Sequence, residues 1–140
     1  MSQYIPERLD GAGINLSNRF AYSATVAASP SASSETTICT LTIPSGVQTF
    51  TGVILEGSAA FTIGTSGTAY TIKIRQTNTS GSTLYSSGLI AASAASLVSA
   101  NISAIDPSPA NAQVYVLTLT VDNGAATSTV SGTNLTALVI

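Results

Sequence analysis

The sequence predicts an all-β protein, folded as an antiparallel β-sandwich of jelly-roll type with about eight to ten strands. Clusters of Gly, Ser, Asn and Pro recur at short intervals and separate runs rich in β-branched and aromatic residues, a pattern typical of sandwiches and barrels. Within the runs, apolar and polar residues alternate. In "AYTIKIR", Tyr70, Ile72 and Ile74 share one face of a strand, opposite Lys73 and Arg75. Such alternation predicts strands with one buried and one exposed face.

The runs also locate each expected strand along the chain. They lie near residues 20–28, 36–43, 47–56, 59–63, 68–77, 82–86, 97–105, 113–122, 126–131 and 134–140. The clusters "EGS" at 56–58 and "SGTN" at 131–134 are interpreted as turns. Residues 86–105 are ambiguous because Ala favours a helix, and we expect a loop or a single helical turn near 90–96, followed by a strand. An immunoglobulin-like sandwich is the alternative fold, although the sequence lacks Trp and a cysteine pair.

Two of the expected strands are apolar on both faces, "TGVILEG" at 51–57 and "NLTALVI" at 134–140. Such strands lie at the centre of a sandwich or at a contact between subunits. The chain also offers few Lys and Pro residues to protect its strand edges, and an edge without such protection is usually covered, most simply by a partner subunit. We therefore expect self-association. The candidate contact residues in the C-terminal strand are Leu135, Leu138, Val139 and Ile140.

Length and composition indicate one domain that associates with other proteins. A chain of 140 residues is long enough for one core. Only 7% of its residues are charged, against about 25% in ordinary soluble domains, and low charge removes the repulsion between molecules. The single cysteine, Cys39, excludes an intramolecular disulfide and is expected to be a small buried residue. No run is long enough for a membrane span and no secretory signal is visible, so no membrane partner is expected.

The residue inventory excludes most catalytic sites. There is no histidine, which excludes a serine triad and histidine-ligated zinc, and one cysteine cannot form a thiolate cage. The carboxylates of the main body are Glu35, Glu56, Asp106 and Asp122, and the last two lie in the turn-forming stretches "DPSP" and "DNG". A net charge of −2 without a basic patch argues against nucleic acid. We predict no enzyme activity, catalytic residue, cofactor or metal site, although turn carboxylates leave a calcium site open.

Two further features are relevant to sugars. Asn-x-Ser/Thr motifs begin at Asn15, Asn78, Asn101 and Asn134. A chain so rich in Ser and Thr produces such motifs by chance, so they are given little weight as glycosylation sites. Tyr85, in "TLYSSG", is the best candidate for an exposed aromatic that binds a sugar, because most tyrosines of the body fall in phase with the core faces.

Residues 1–19 form a segment distinct from the single β domain expected over residues 20–140. In "YIPERLDGAGI", Pro6 and two glycines disfavour a helix, and the charges disfavour a strand. The segment still has too many apolar residues for a typical disordered tail. We expect an extended arm that lies along another protein, with apolar anchors and with charged groups that fix its register. The candidate arm residues are Tyr4, Ile5, Pro6, Glu7, Arg8, Leu9, Asp10 and Ile14.

The whole layout, from "YIPERLDGAG" through the Ser/Thr/Ala/Gly-rich strands to "LTALVI", resembles the small virion proteins of tailed bacteriophages. Among these it most resembles the capsid decoration, or cement, proteins, although it contains no diagnostic motif. The resemblance implies a homotrimer, made in the host cytoplasm and seated on the outer capsid surface of the virion, where it bridges subunits of the major capsid protein. The expected function is structural stabilisation of the capsid. The alternative is a phage tail-fibre or spike domain, or a carbohydrate-binding sandwich, that recognises a receptor.

Overall fold

A computed structural model describes residues 20–23, 30, 34–46, 52–123 and 128–140. Within these ranges the secondary structure consists of strands and turns. The strands are β1 (Phe20–Ser23), β2 (Thr36–Thr42), β3 (Val53–Thr62), β4 (Ala69–Gln76), β5 (Thr83–Ser86), β6 (Ile90–Ala91), β7 (Leu97–Asp106), β8 (Val114–Asp122) and β9 (Thr129–Val139). None of the described ranges contains a helix that is long and apolar enough to cross a membrane. The predicted all-β class is confirmed.

The strands pair as one long hairpin that is wound on itself. β1 pairs with β9, β2 with β8, β3 with β7, and β4 with β5, always antiparallel. The winding produces two sheets. The first sheet has the order β1-β9-β3-β7, and the second has the order β2-β8-β4-β5, with the short β6 also paired to β4. Nested pairing across two packed sheets is the jelly-roll arrangement, which confirms the predicted sandwich.

The core lies between the two sheets and is formed by alternate residues of their strands. Tyr70, Ile72 and Ile74 of β4 face it, as their spacing predicts, and Cys39 is buried in β2. The rings of Phe61 and Tyr70 meet edge to face, with their centroids 5.1 Å apart. The largest fully buried side chains are Tyr115, Phe61, Ile38, Leu41, Leu55, Ile63, Ile72, Ile74, Leu117, Leu119, Leu135 and Val53. Burial of one such aliphatic side chain contributes roughly 1.5–3 kcal/mol to stability.

Two predicted turns are wrong, because at "EGS" and at "SGTN" a single strand continues. Glu56 of β3 is paired on both sides, with Ser103 of β7 and Thr136 of β9. Gly57 lies inside the strand and is closely packed, since a Cβ at this position would stand 3.1 Å from Leu117 Cδ1 of the second sheet. β9 likewise runs through "SGTN" with a bulge instead of a turn.

The two strands with apolar residues on both faces lie inside the first sheet. β3 is between β9 and β7, and β9 is between β1 and β3, which is the first of the two positions expected for them. Leu135 and Val139 of β9 face the core and are at most 1% exposed. Leu138 and Ile140 are half-buried. Of the four self-association candidates, Leu135 and Val139 are therefore already covered within one chain.

The ambiguous segment at 86–105 is a loop followed by a strand, as expected, with the short β6 inside the loop. A turn precedes β7, in which Ser93 O accepts hydrogen bonds from Ser96 N at 3.2 Å and from Ser96 Oγ at 2.6 Å. Ala95 in this turn has a positive φ of 56°. The chain then enters β7 at Leu97 and stays extended for ten residues.

A buried network joins the two sheets at one end of the sandwich. Asp106, the last residue of β7, is 2% exposed. Its Oδ2 accepts hydrogen bonds from Tyr115 Oη at 2.8 Å and from Gln76 Nε2 at 2.6 Å, and its Oδ1 accepts one from Ser108 N at 3.0 Å. The last contact is the turn expected of Asp in "DPSP". The other two tie β7 of the first sheet to β8 and β4 of the second.

Candidate functional site

The outer face of the first sheet carries polar side chains in register across β7, β3 and β9. They form two neighbouring rows, with Asn101, Ser58 and Asn134 in one and Ser103, Glu56 and Thr136 in the other. Paired residues of antiparallel strands have Cβ atoms about 4.5–5.5 Å apart, and residues two positions apart along a strand are separated by about 7 Å. These six side chains therefore form one compact patch, named here the polar groove.

The polar groove is concave and continues along β3. All six side chains line a depression of about 490 Å³. Towards Ile54 and Leu138 the depression is continued by one of about 150 Å³, and towards Ala60 and Gly132 by one of about 370 Å³. The three depressions share lining residues and so form one continuous groove. From Ile54 to Ala60 it is about 20 Å long.

A β-bulge in β9 shapes one end of the groove. Ala60 pairs with Gly132 and Phe61 pairs with Val130, so Ser131 is the extra residue of the bulge. Ser131 Oγ donates a hydrogen bond to Ala60 O at 3.0 Å. Bulges bend a strand and increase its twist. Since a Cβ at Gly132 would meet nothing within 4 Å, the groove also has open space at this point.

The polar groups of the groove are available to a ligand. Five of the six side chains make no hydrogen bond or ion pair with the described residues, and these are Glu56, Ser58, Asn101, Ser103 and Asn134. Thr136 Oγ1 makes one long contact of 3.4 Å, to Glu56 O. Amide side chains offer both donors and acceptors, hydroxyls offer one donor and two lone pairs, and a carboxylate accepts. The groove can therefore both donate hydrogen bonds to a ligand and accept hydrogen bonds from it.

Apolar side chains border the polar groove at both ends. Ile105, Ile54 and Leu138 form a row across β7, β3 and β9 at one end, and Leu97 stands at the other end of β7. Ile105 is 61% exposed and Leu97 is 70% exposed. A ligand lying along the groove can thus combine hydrogen bonds at its centre with apolar contacts at its ends.

The described lining residues of the polar groove include few groups that could serve in acid–base chemistry. Among its described lining residues Glu56 is the single carboxylate, whereas hydrolysis of a glycosidic bond ordinarily uses a pair. Within the described ranges no three Cys, Asp or Glu residues are grouped so that they could hold a metal ion.

Lys73 and Arg75 of the second sheet form an ion-pair cluster with Glu35. Glu35, just before β2, accepts hydrogen bonds from Arg75 Nε at 2.6 Å, from Arg75 Nη2 at 2.9 Å and from Thr118 Oγ1 at 2.6 Å, and Lys73 Nζ lies 3.7 Å from its Oε2. Burial raises the pKa of the Glu35 carboxyl, but the hydrogen bonds and the two positive charges outweigh it and lower that pKa. The contribution of this cluster to stability is therefore complete at pH values above the ordinary Glu pKa of about 4.3. The contribution decreases as the pH falls through the lowered pKa of Glu35.

Of the sequence-predicted site residues that the structure describes, one borders the polar groove. The candidate arm residues lie outside the described residues, and their docking role stays a prediction; they are Tyr4, Ile5, Pro6, Glu7, Arg8, Leu9, Asp10 and Ile14. Tyr85, in β5 of the second sheet, is half-buried and packs against the core. Tyr70 and Tyr115 are buried, as their phase predicts. Leu138 borders the groove at its apolar end.

The Asn-x-Ser/Thr motifs are the signal of the polar groove in the sequence. In a strand, residues i and i+2 lie on the same face, so each Asn-x-Ser/Thr motif places an amide beside a hydroxyl. Asn101 and Ser103 do so in β7, and Asn134 and Thr136 do so in β9. The same spacing joins Glu56 to Ser58 in β3. Motifs that have little weight as glycosylation sites thus provide most of the groove.

Comparison with known proteins finds weak similarity to several solved structures. No protein-family model matches the sequence, and no curated protein matches it significantly. The xylan-binding module CBM15 has a TM-score of 0.44 and 12% identity, over 87% of this chain and 92% of that one. A CBM4 structure has a TM-score of 0.36 and 12% identity, over 85% and 71% of the two chains. The enzymatically active domain of tailspike protein 4 of bacteriophage CBA120 has a TM-score of 0.33 and 14% identity, over 90% of this chain and 20% of that one.

Proposed function

We propose that this protein is a non-catalytic glycan-binding module whose polar groove holds an oligosaccharide. The observation that carries the proposal is the set of six polar side chains placed in register on β7, β3 and β9, in a groove and largely without partners among the described residues. Jelly rolls occur both in lectin domains and in viral capsid domains, so the site rather than the fold must decide between them.

Sugar hydroxyls donate and accept hydrogen bonds at once, and the groove presents both kinds of partner. The amides of Asn101 and Asn134 can each bind neighbouring hydroxyls through Oδ1 as acceptor and Nδ2 as donor. Ser58 lies between them, and a second row centred on Glu56 follows about 7 Å further along β3. A short, extended oligosaccharide lying along β3 can therefore contact both rows.

Glu56 selects the charge of the ligand. It is exposed and is the single charged side chain among the described residues that line the groove. A uronic or sialic acid would bring a second carboxylate close to it, and such like-charge contacts disfavour the wrong ligand. We infer that neutral hexoses and N-acetylhexosamines are the ligand class.

The proposal predicts binding to neutral oligosaccharides on a glycan array, with acidic glycans negative. For the strongest hit, the double variant Asn101→Ala/Asn134→Ala is expected to bind about 10–100-fold more weakly in calorimetric titration, because each lost hydrogen bond contributes about 0.5–1.5 kcal/mol. Neither side chain is part of the core, so the melting temperature is expected to stay close to that of the wild type.

The matched control is Asn111→Ala. Asn111 is exposed, precedes β8 and does not line the groove, so this variant should keep wild-type affinity. An array without neutral-glycan binding, or an equal loss of affinity in the groove variant and the control, contradicts the assignment.

A second proposal concerns the setting in which the protein works. The 7% charge content favours association, and the anchors and charges of residues 4–14 are suited to docking on another surface. We propose that the protein belongs to a phage virion, either as a capsid decoration protein docked on the major capsid protein by its arm or as a tail-fibre or spike module. In the second setting the polar groove would recognise a receptor glycan.

Deletion of residues 2–16 distinguishes the two settings. If the protein decorates capsids, the shortened chain is expected to lose capsid binding in a co-sedimentation assay while its glycan binding and circular dichroism spectrum are unchanged. Capsid binding that persists after the deletion would rule out a docking arm.

A further inference from the structure

Among the described strands, β7 lies at the edge of the first sheet and pairs on one side only. Its partner there is β3, in a register without a shift. Ser96 O accepts a hydrogen bond from Ile63 N, so by the alternation of antiparallel pairs the even-numbered residues of β7 direct their backbone groups towards β3. The residues that direct N–H and C=O towards the open edge are the odd-numbered ones, Leu97, Ser99, Asn101, Ser103 and Ile105.

The described part of the chain does not protect this edge in the usual ways. Edge strands are commonly blunted by Lys, Pro, a charge or a bulge. β7 is ten residues long and, apart from the buried Asp106 at its end, has none of these. On its inner face Val98, Ala100 and Ile102 pack against the core but remain partly exposed. A further strand beside β7 would satisfy the open backbone groups and complete the burial of these side chains.

The sequence of β7 is complementary to itself. On its outer face the order of residues is Leu97, Ser99, Asn101, Ser103 and Ile105, which has the same chemistry in both directions. When a second β7 lies antiparallel with Asn101 opposite Asn101, residues whose numbers sum to 202 face each other. Leu97 then faces Ile105, and Ser99 faces Ser103. On the inner face small residues meet large ones, with Val98 opposite Ala104 and Ala100 opposite Ile102.

We propose that two copies of this chain pair through β7 about a two-fold axis at Asn101. In this register all the odd-numbered residues form hydrogen-bonded pairs, because their backbone groups already point to the open edge. A two-fold contact uses the same patch on both copies, as the self-complementary sequence requires. The occupant of the edge is therefore a second copy rather than an unrelated strand.

The pairing would join the two polar grooves. The first sheets of the two copies become one continuous sheet, with Asn101 of each copy at its centre and the row Asn134, Ser58, Asn101 continued by the partner's Asn101. The dimer itself does not depend on what the groove binds. Failure of glycan binding and failure of dimerisation are therefore separate results.

The proposed two-fold axis can be tested by placing charged side chains at residue 101. The wild type is expected to sediment at twice its mass of 14.0 kDa. Asn101→Lys and Asn101→Asp each place like charges opposite each other across the axis, and each is expected to weaken the dimer at least about tenfold. An equimolar mixture of the two variants is expected to restore the dimer as a heterodimer, because opposite charges then meet. Asn111→Lys is the control for the added charge and should remain dimeric.

Different results of these experiments would overturn the dimer or its two-fold register. Melting temperatures close to wild type show that the variants are folded, since residue 101 is exposed on an outer face. A monomeric wild type, a trimer, or a dimer that neither single variant weakens would overturn the proposal. Failure of the mixed variants to restore a dimer that each variant has lost would overturn the two-fold register.

Discussion

Asp106→Ala is expected to destabilise the protein by about 3 kcal/mol or more, because a buried donor without its partner costs about 1–3 kcal/mol and this change affects several donors. In the wild type, Tyr115 Oη and Gln76 Nε2 share the acceptor Asp106 Oδ2, and the substitution removes it. The substitution also removes the turn contact to Ser108 N. Since Asp106 is 2% exposed, water cannot easily replace the carboxylate. The melting temperature in calorimetry is expected to fall by about 10 °C.

Tyr115→Phe is the graded control for this network. It removes one of the hydrogen bonds to Asp106 and keeps the ring in the core, so we expect a loss of about 1.5 kcal/mol. An equal loss in the two variants would show that the carboxylate does not organise the network. Burial raises the pKa of the Tyr115 hydroxyl, and its contact with Asp106 raises it further. The stability that depends on the neutral hydroxyl is therefore present below about pH 10 and is lost as the pH rises above that value.

Gly52→Ala is expected to destabilise the protein by about 2–4 kcal/mol, through strain and overlap together. Gly52 has a φ of +150°, which a residue with a side chain rarely adopts, and a Cβ there would lie 2.4 Å from Asp106 O. The backbone cannot shift freely, because Gly52 N donates to Ile140 O and Gly52 O accepts from Ile140 N. Chemical denaturation should report the loss as a lower midpoint.

Gly46→Ala isolates the contribution of backbone conformation. Gly46 also has a positive φ, of +83°, but a Cβ there would meet nothing within 4 Å. We expect a loss of about 1–2 kcal/mol, from the left-handed conformation alone. If Gly52→Ala lowers the free energy of unfolding no more than Gly46→Ala does, the close approach of Gly52 to Asp106 O does not disfavour a side chain at position 52.

Alternation made most of the fold predictable from sequence. Residues at two-residue spacing, such as Tyr70, Ile72 and Ile74, locate a strand and its buried face without knowledge of its neighbours. The same local signals failed where tertiary packing decides. Gly57 resembles a turn residue but lies inside β3, where Leu117 of the other sheet approaches closely, and Ser131 belongs to a bulge that the strand tolerates.

The polar groove could not be predicted because it depends on register. The motifs at Asn101 and Asn134 show that each strand carries an amide and a hydroxyl on one face. Only the pairing of β3 with both β7 and β9 places Ser58 and Glu56 between them. The contact of Glu35 with Arg75 is hidden for the same reason, since its partners are 40 residues apart. Local sequence patterns predict which residues share a face of a strand. The nested topology determines which strands become neighbours.

The most direct test of the groove as the functional surface is backbone-amide chemical-shift mapping during titration with a neutral oligosaccharide selected on the array. If the groove binds the oligosaccharide, the largest shifts are expected at 56–58, 101–103 and 134–136, on the three strands that form the groove. Amides of the second sheet around Lys73 and Thr118 should remain unchanged. Shifts concentrated on the second sheet or in the turns, with the groove unaffected, would contradict binding in the groove.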